Sequence, residues 1–313
     1  RLVKKHRGSL SGEHGDGRLR GEFIPLLFGE KVYGLMQETK VCWDPEGVFN
    51  ARKIVNTPPM DTSLRYEVGD SDVACRTYFD FSKEKGWLCA IEQCNGSGDC
   101  RKSYAFGGTM CPSFRATREE SHTTRARANT LRELITHPRT KKIYDQREIL
   151  EVLDTCVSCK ACKSECPSNV DIARFKAEFL QQHYDVCGVP MKAFLIARLT
   201  EIQRLGTILP WFYNAIVRNR MTGNMLKRIL HFAPKRTIPT LYKTTLKHWL
   251  GRYRRKNRGE TVGKVFLFAD EFTNYMDVEI GIKMIELLDW LGYEVIIPKH
   301  VESGRTAISK GML

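Results

Sequence analysis

The sequence predicts an α+β chain of several domains, in which helices dominate and one parallel βαβ unit lies near the C-terminal end. Three observations support this fold class: a run of four closely spaced cysteines, a strongly basic stretch with helical spacing of its apolar residues, and two short apolar runs that flank an amphipathic helix. The length of 313 residues fits about two or more domains of ~150 residues. A hydrophobic content of 42% and a charged content of 27% exclude wholesale disorder and a membrane bundle.

Changes in composition divide the chain into five segments. Residues 1–60 mix glycine-rich turns with apolar stretches, and the apolar spacing within 24–42 predicts a helix. A polar stretch after two consecutive prolines predicts a linker at 61–90. The other three segments are a mainly α-helical cysteine-bearing domain at 91–185 with a helix around 118–136, a basic helical segment at 186–260, and an incomplete α/β unit at 261–313.

The α/β unit is predicted from hydrophobic periodicity. Residues 265–269 form a short apolar run typical of a buried strand, 278–291 have helical spacing, and 293–298 form a second apolar run. Two strands joined by a helix are expected to be parallel. Two strands alone bury too little sheet, and the first residue is Arg1, so we expect the sequence to be a piece of a longer polypeptide.

The cysteine run is the most specific motif in the sequence. Its spacing is C-x2-C-x2-C-x3-C-P, and its members are Cys156, Cys159, Cys162 and Cys166, followed by Pro167. This spacing matches the bacterial ferredoxin run at every fixed position, because three thiolates on a tight loop and a fourth at the next helix can surround a [4Fe-4S] cluster. A zinc site is the alternative, but zinc sites separate two C-x2-C pairs by a longer loop.

A second, irregular motif predicts a second cluster. Cys94 and Cys100 take the outer positions of such a run, and Cys111 with Pro112 follows after an insertion. In two-cluster ferredoxins the fourth cysteine binds the other cluster. Cys111 is therefore expected to complete the cluster of Cys156, Cys159 and Cys162, and Cys166 to join Cys94 and Cys100. The second set is one ligand short; Ser97, Cys89, a group outside the chain, or no group at all could take that position. The irregular motif of Cys94, Cys100 and Cys111 could also bind no metal.

Other cysteines and a group of arginines are open to two interpretations. Cys42, Cys75 and Cys187 have no partner spacing, so we expect buried structural thiols. Five arginines follow the motif of Cys94, Cys100 and Cys111, and they could offset the charge of a cluster or form a solvated helix face. They are Arg115, Arg118, Arg125, Arg127 and Arg132.

The net charge of +14 belongs to one segment. Residues 186–260 carry 16 Lys and Arg against Glu201 and Glu260, whereas the rest of the chain has 34 residues of each sign. Aromatic residues among these cations would suit a nucleic-acid-binding protein with a structural cluster, but no zinc-finger, RNP or helix-turn-helix signature accompanies them. The preferred interpretation is a docking face for the inner membrane leaflet, an acidic electron carrier or missing parts of the chain.

Further motifs give the chain a family resemblance. Residues 8–18 (GSLSGEHGDGR) with 49–55 (FNARKIV) resemble the C-terminal end of flavin-linked dehydrogenases of the glycolate oxidase and D-2-hydroxyglutarate dehydrogenase type. Residues 111–117 (CPSFRAT) with 125–128 (RARA) resemble the iron–sulfur half of their long bacterial fusion forms. The C-terminal unit resembles the start of the cysteine-rich domain of heterodisulfide reductases.

The resemblance implies a role for several residues. It places His14 near the flavin as the general base or its orienting partner, Glu13 as one ligand of a divalent metal that binds the substrate, and Asn50 against the flavin ring. Glu302-Ser303-Gly304 and Asp270-Glu271 replace cysteines of the cysteine-rich domain, so no cluster or heterodisulfide chemistry is expected there. The main FAD-binding domain is missing, so the chain alone should neither retain FAD nor be active.

The function that the resemblance implies is FAD- and iron–sulfur-dependent oxidation of a D-2-hydroxy acid of the 2-hydroxyglutarate, lactate or glycolate class. Electrons would pass from the flavin through [4Fe-4S] clusters to a quinone or a carrier protein. Clustered cysteines without a secreted disulfide pattern indicate a reducing, cytoplasmic location. If the basic segment 186–260 docks on the inner membrane, the attachment would be peripheral.

Overall fold

The protein is described by a computed structural model that covers residues 2–64, 76–138, 143–257 and 259–313. Its backbone divides into two compact units, Arg1–Asp72 and Val73–Leu313, and each is described by itself. None of the helices in the described ranges combines the length and the apolar character that are needed to cross a bilayer.

Residues 2–64, the described part of the first unit, hold three α-helices, which are α1 (Leu2–Lys5), α2 (Ile24–Phe28) and α3 (Glu30–Trp43). The single helix predicted over 24–42 is wrong at one point, because Gly29 has a φ of 85° and separates α2 from α3. Only glycine adopts that conformation without strain, so the chain changes direction there. After α3, the buried carboxylate of Asp44 accepts hydrogen bonds from the amides of Val48 and Phe49, which fixes the following turn.

The first part of the second unit is a helical domain around one core. Its helices are α4 (Trp87–Glu92), α5 (Pro112–Thr117), α6 (Thr124–Thr136), α7 (Arg147–Asp154), α8 (Ala161–Glu165) and α9 (Ile172–Cys187). Buried apolar side chains from α4, α6, α7 and α9 form the core, with Leu131 and Phe179 completely buried at its centre.

Two boundaries of this domain differ from the predictions. Part of the predicted linker is core instead, since Phe81 and Trp87 are both 3% exposed and pack against Phe175 and the helices around it. The stretch is polar on average, but its few aromatic side chains are buried and tie it to the core. The helix predicted from residue 118 begins at Thr124, because the Thr123 hydroxyl accepts a hydrogen bond from the amide of Ala126 and caps it.

Helices were predicted in the basic segment, and its described residues contain five short ones. They are α10 (Met191–Ala197), α11 (Leu199–Gly206), α12 (Pro210–Arg218), α13 (Arg220–Ile229) and α14 (Leu246–Arg252). Pro190 precedes α10 and Pro210 opens α12, where its missing N–H leaves no intrahelical bond unmade. Pro234 and Pro239 lie in the non-helical stretch between α13 and α14.

The βαβ unit is confirmed, with strands β1 (Gly263–Phe266) and β2 (Tyr293–Ile296) and helices α15 (Glu271–Tyr275), α16 (Val278–Trp290) and α17 (Arg305–Ile308). The strands are parallel, and Val265 lies opposite Val295. The prediction of a buried first strand is wrong, because Phe266 is 69% exposed. Two strands leave one face of the sheet without a covering layer.

Contacts join segments that the sequence assigns to separate domains. Leu246 of α14 is completely buried in a cluster with Val278 and Ile285 of α16. At the chain end, the Leu313 amide donates to Gln181 Oε1 of α9 over 2.8 Å. The α/β unit therefore packs against α14 of the basic segment, and its C-terminal end contacts the helical domain.

Candidate iron–sulfur centre

The first part of the cysteine run forms a tight loop between α7 and α8, and the run continues through α8 to Cys166. Within the loop, Ser158 has a φ of 54° and Lys160 a φ of 60°, so two non-glycine residues with one residue between them have a left-handed φ. Alternating backbone conformations of this kind turn successive N–H groups toward a common centre, a concavity that suits anions and iron–sulfur clusters.

Four thiols from two distant stretches line one cavity. Cys156 and Cys159 come from the loop, Cys162 comes from the first turn of α8, and Cys111 comes from a segment more than forty residues earlier. Arg127 contributes to the same wall. The structure thus brings together the four residues that the crossing pattern of two-cluster ferredoxins predicts for one cluster.

The loop that delivers Cys111 is fixed by two charged side chains. The Glu165 carboxylate accepts hydrogen bonds from the amides of Thr109 (2.7 Å) and Met110 (3.0 Å). The Arg115 guanidinium donates to the carbonyls of Gly107 and Gly108, each over 2.7 Å. Sequence reasoning did not assign Glu165 a role, although its position directly before the last cysteine of the run was the available signal.

Arg127 is a buried cation beside the thiols, being only 1% exposed. Its guanidinium donates to Cys111 Sγ (3.4 Å), and also to Thr155 Oγ1 (2.6 Å) and the Val152 carbonyl (3.0 Å). A solvated helix face is therefore the wrong interpretation for this arginine. Its charge faces sulfur, where it favours thiolate.

The surroundings of the thiols shift their acidity in opposite directions. Burial raises the pKa of Cys111, but hydrogen bonds from Ser113 and the Phe114 amide, with the charge of Arg127, outweigh it and lower that pKa. Burial raises the pKa of Cys162 to about 11, although amides at the start of α9 donate to its sulfur. A bound cation would favour the thiolate form of both side chains.

The second predicted set is only partly assembled around Cys100. Cys100 is 5% exposed, and its burial raises the pKa of its thiol, to which the neighbouring Cys94 adds. Cys166 packs against the buried cluster that contains Cys100. Arg125 donates to the Gly96 carbonyl in the same loop. The two residues considered as a further ligand, Ser97 and Cys89, are both exposed.

The remaining predicted residues lie in the first unit and are exposed. His14 Nε2 is 3.0 Å from Glu13 Oε1, and their side chains are 85% and 84% exposed. Asn50 is exposed, has a φ of 47° and accepts a hydrogen bond from Lys53 Nζ over 3.2 Å. The structure therefore pairs His14 with Glu13 and leaves both side chains accessible.

Two thiols predicted to be buried are not. Cys42 and Cys187 are exposed, and each lies on the last turn of a helix, α3 and α9 respectively. Cys75 lies outside the described residues.

Asp270-Glu271 and Ser303, which were expected to replace cysteines of a cysteine-rich domain, meet in space. Ser303 Oγ donates to the buried carboxylate of Glu271, at 2.6 and 2.9 Å from its two oxygens. Arg305 Nη2 donates to Asp270 Oδ2 over 2.8 Å. A hydroxyl, a carboxylate and an ion pair thus occupy this corner, and these groups hold it together by hydrogen bonds.

Comparisons with known proteins agree with this arrangement. Residues 1–54 match the family described as FAD linked oxidases, C-terminal domain, and residues 93–171 match the 4Fe-4S dicluster domain. Similar curated proteins include D-2-hydroxyglutarate dehydrogenases of Escherichia coli (25% identical) and Pantoea ananatis (26% identical), each aligned with all of this chain.

The resemblance to FAD- and iron–sulfur-dependent dehydrogenases is confirmed. The chain spans about a third of the length of these relatives, 34% in both cases. No solved structure matches it. The dicluster match covers every cysteine of the two predicted ligand sets, and the flavin-domain match covers His14, Glu13 and Asn50.

Proposed function

We propose that this chain is the electron-transfer part, with the end of the flavin domain, of an oxidoreductase that oxidises a D-2-hydroxy acid. D-2-hydroxyglutarate is the first candidate substrate, because it appears in the names of the relatives; lactate and glycolate are the others. The observation that carries the proposal is the cavity in which Cys111 meets Cys156, Cys159 and Cys162.

The donor set fits a [4Fe-4S] cluster better than a single zinc ion. Two thiols on a tight loop, one at the start of α8 and one at the start of α5 match the spacing of ferredoxin ligands, and a buried arginine and the amides of α9 would oppose the negative charge of four thiolates. Such a cluster, when bound, takes up and releases one electron at a time. Cys94, Cys100 and Cys166 are proposed as ligands of a second cluster.

In the longer protein, His14, Glu13 and Asn50 are proposed to serve the flavin reaction. A neutral imidazole can take the hydroxyl proton of the substrate, and the adjacent carboxylate can orient it or bind a divalent metal. The short distance from His14 Nε2 to Glu13 Oε1 supports the first of these two roles for Glu13.

The cluster assignment is tested by anaerobic preparation of the chain and chemical measurement of iron and acid-labile sulfide. Cys111→Ser is expected to lower both, because it removes one ligand of the best-formed site. Cys42→Ser is the matched control, since Cys42 is an exposed thiol of the other unit, and it should leave both unchanged. Stoichiometric zinc without labile sulfide would overturn the assignment.

The dehydrogenase assignment is tested in the longer protein by rapid mixing with D-2-hydroxyglutarate. Flavin bleaching should precede loss of cluster absorbance, and His14→Ala should slow the bleaching by ~10²–10⁴. An unchanged bleaching rate would remove His14 from the reaction. Absence of bleaching with all three candidate acids would refute this substrate class.

The electron acceptor is proposed to be a membrane quinone or a carrier protein, reached by docking on an anionic bilayer. Helices α11 to α13 and the turn between α11 and α12 expose large apolar side chains. We call these side chains the apolar set: Leu205, Ile208, Leu209, Trp211, Phe212, Met221 and Met225. Exposed apolar groups of this size among cations are typical of proteins that lie on a membrane surface.

The charges around the apolar set match an anionic surface. Arg204, Arg218, Arg220 and Arg228 are exposed on the same helices, where the single acid is Glu201, which pairs with Arg198 over 3.0 Å. Each cation near an anionic bilayer contributes about 1 kcal/mol, and the gain falls with salt.

Sedimentation with phosphatidylserine-containing vesicles tests this docking. An Arg218→Gln/Arg220→Gln variant should bind at least ~10-fold more weakly, from about 1 kcal/mol per cation. A Trp211→Ser/Phe212→Ser variant should also bind at least ~10-fold more weakly, because it removes two large apolar side chains from the surface. Trp290→Ser, which removes another tryptophan that is 75% exposed, should bind normally. Tight, salt-sensitive binding to oligonucleotides without vesicle binding would instead favour a nucleic-acid partner.

A further inference from the structure

We propose that Asp145, His183 and Cys187 form a binding site for a single divalent transition-metal ion, zinc in the first instance. Each residue offers one ligand atom, and these atoms all lie within 4.8 Å of one another. None of the three belongs to the predicted cluster ligands.

The site is built from two elements. His183 and Cys187 are four residues apart on the last two turns of α9, so their side chains share one face of the helix. Asp145 lies just before α7, next to the residue that precedes the helix. Because α9 rises about 1.5 Å per residue, Cys187 lies ~22 Å along the helix from Ile172, which lines the thiol cavity. The site is therefore separate from that cavity.

The imidazole of His183 is already oriented as a ligand would be. Its Nδ1 lies 2.8 Å from the Tyr144 carbonyl, to which it donates, and this leaves Nε2 with its lone pair for a metal. The ring also stacks on Phe179, with centroids 6.4 Å apart and an interplanar angle of 11°. Metal-binding histidines characteristically donate their second ring nitrogen to a carbonyl or carboxylate, which fixes the tautomer.

The donor chemistry selects the class of metal. One sulfur, one nitrogen and one oxygen suit zinc and its first-row neighbours, whereas calcium and magnesium prefer oxygen ligands alone. Three protein ligands leave a fourth position for water or for an exogenous group. The bound ion would join the segment before α7 to the end of α9, and would stabilise the helical domain by mass action.

The experiment uses the whole chain, prepared anaerobically, reduced, and equilibrated with zinc chloride before removal of free metal. Mass spectrometry of the metals should find one zinc per chain in addition to iron, and zinc-edge X-ray absorption should show one sulfur among nitrogen and oxygen ligands. His183→Ala and Cys187→Ser should each weaken zinc binding by more than the ~10–100-fold that loss of an outer-shell partner causes.

Two controls make the outcome decisive. Cys42→Ser, which removes another exposed helix-terminal thiol, should keep the zinc, and all variants should keep their iron. Asp145→Asn, which preserves shape, should weaken zinc binding without a change in the far-UV circular dichroism. Zinc bound to four sulfurs would place it in the thiol cavity, and equal zinc in wild type and variants, or none, would refute the site.

Discussion

At the scale of single residues, the role of Arg127 depends on groups from two separate segments, the start of α5 and the end of α7. Its guanidinium contacts the thiol of Cys111, the hydroxyl of Thr155 and the carbonyl of Val152. A buried cation is tolerated only where hydrogen bonds and opposite charge replace water, so each of these contacts is required. The sequence suggested a charge role for the arginines of this stretch, but it could not show which one is buried.

Replacement of this arginine tests its role. Arg127→Met keeps the volume but removes the donors, so we expect a loss of about 2–4 kcal/mol in the free energy of unfolding and lower iron retention. Urea unfolding and iron analysis measure the two effects. Arg118→Met, at an exposed arginine, should change both little; equal effects of the two variants would contradict the special role of Arg127.

A second residue-scale prediction concerns pH and Asp289. Burial raises the pKa of this carboxyl, but hydrogen bonds from the Lys256 amide, Tyr253 and Arg255 outweigh it and lower that pKa. A pKa that is lower in the folded state stabilises the fold above the unfolded value of about 3.9, and the stabilisation is lost as the pH falls through the folded value.

Asp289→Asn is therefore expected to destabilise the protein by about 1.5–3 kcal/mol at pH 7, with the difference from wild type shrinking below pH ~4. Urea titrations from pH 7 to pH 3 measure this. Glu279→Gln, at an exposed carboxyl of the same helix, should show little difference at any pH. A constant Asp289→Asn penalty across the range would contradict the assignment.

At the scale of elements, α13 illustrates how a short helix in the basic segment is held. The Asn219 side chain accepts hydrogen bonds from the amides of Met221 (2.9 Å) and Thr222 (3.3 Å). A helix of ten residues is marginal by itself, so its cap and its packing on α12 both matter.

Loss of the cap should cost about 1 kcal/mol. In Asn219→Ala, amide hydrogen exchange at the first turn of α13 is expected to accelerate roughly fivefold, from that energy and RT of ~0.6 kcal/mol. Asn219→Asp retains a capping oxygen and should keep the protection of the wild type. Faster exchange in both variants would point to packing rather than capping as the controlling interaction.

The elements also show what could be predicted from the sequence. The parallel strands and the helices that begin at prolines followed from local patterns, and the structure bears out both. The cysteine spacing predicted which four thiols share a cavity, and their role as cluster ligands stays a prediction. The buried first strand failed because the periodicity of residues 265–269 cannot reveal how many neighbouring strands cover it. The helix break at Gly29 failed for a related reason, since an isolated glycine is tolerated in many helices.

At the scale of the whole molecule, the chain end returns to the helical domain. Gly311 has a φ of 70°, and a Cβ there would lie 2.1 Å from Cβ of Leu180 on α9. Gly304 has a similar φ of 67°, but a Cβ there would meet only Ile308 at 3.9 Å. An alanine at either position would therefore suffer backbone strain, but only an alanine at Gly311 would also clash with a neighbouring side chain.

Gly311→Ala should destabilise the protein by about 2–4 kcal/mol, because backbone strain and a clash combine. Gly304→Ala should cost only about 1 kcal/mol, from strain alone. Thermal or urea unfolding of the two variants measures the difference. Equal losses would mean that the C-terminal turn does not rest on α9.

The burial of Leu246 has a practical consequence for dissecting this protein. A Cβ on Gly281 would lie 2.4 Å from the side chain of Leu246, so α14 and α16 touch with no room between them. A fragment that starts at residue 261 would lack Leu246, which would leave a cavity beside Gly281 and expose apolar side chains of α16 to solvent. The smallest piece of the C-terminal half worth expressing or transplanting therefore begins near Leu241, carrying α14 with it.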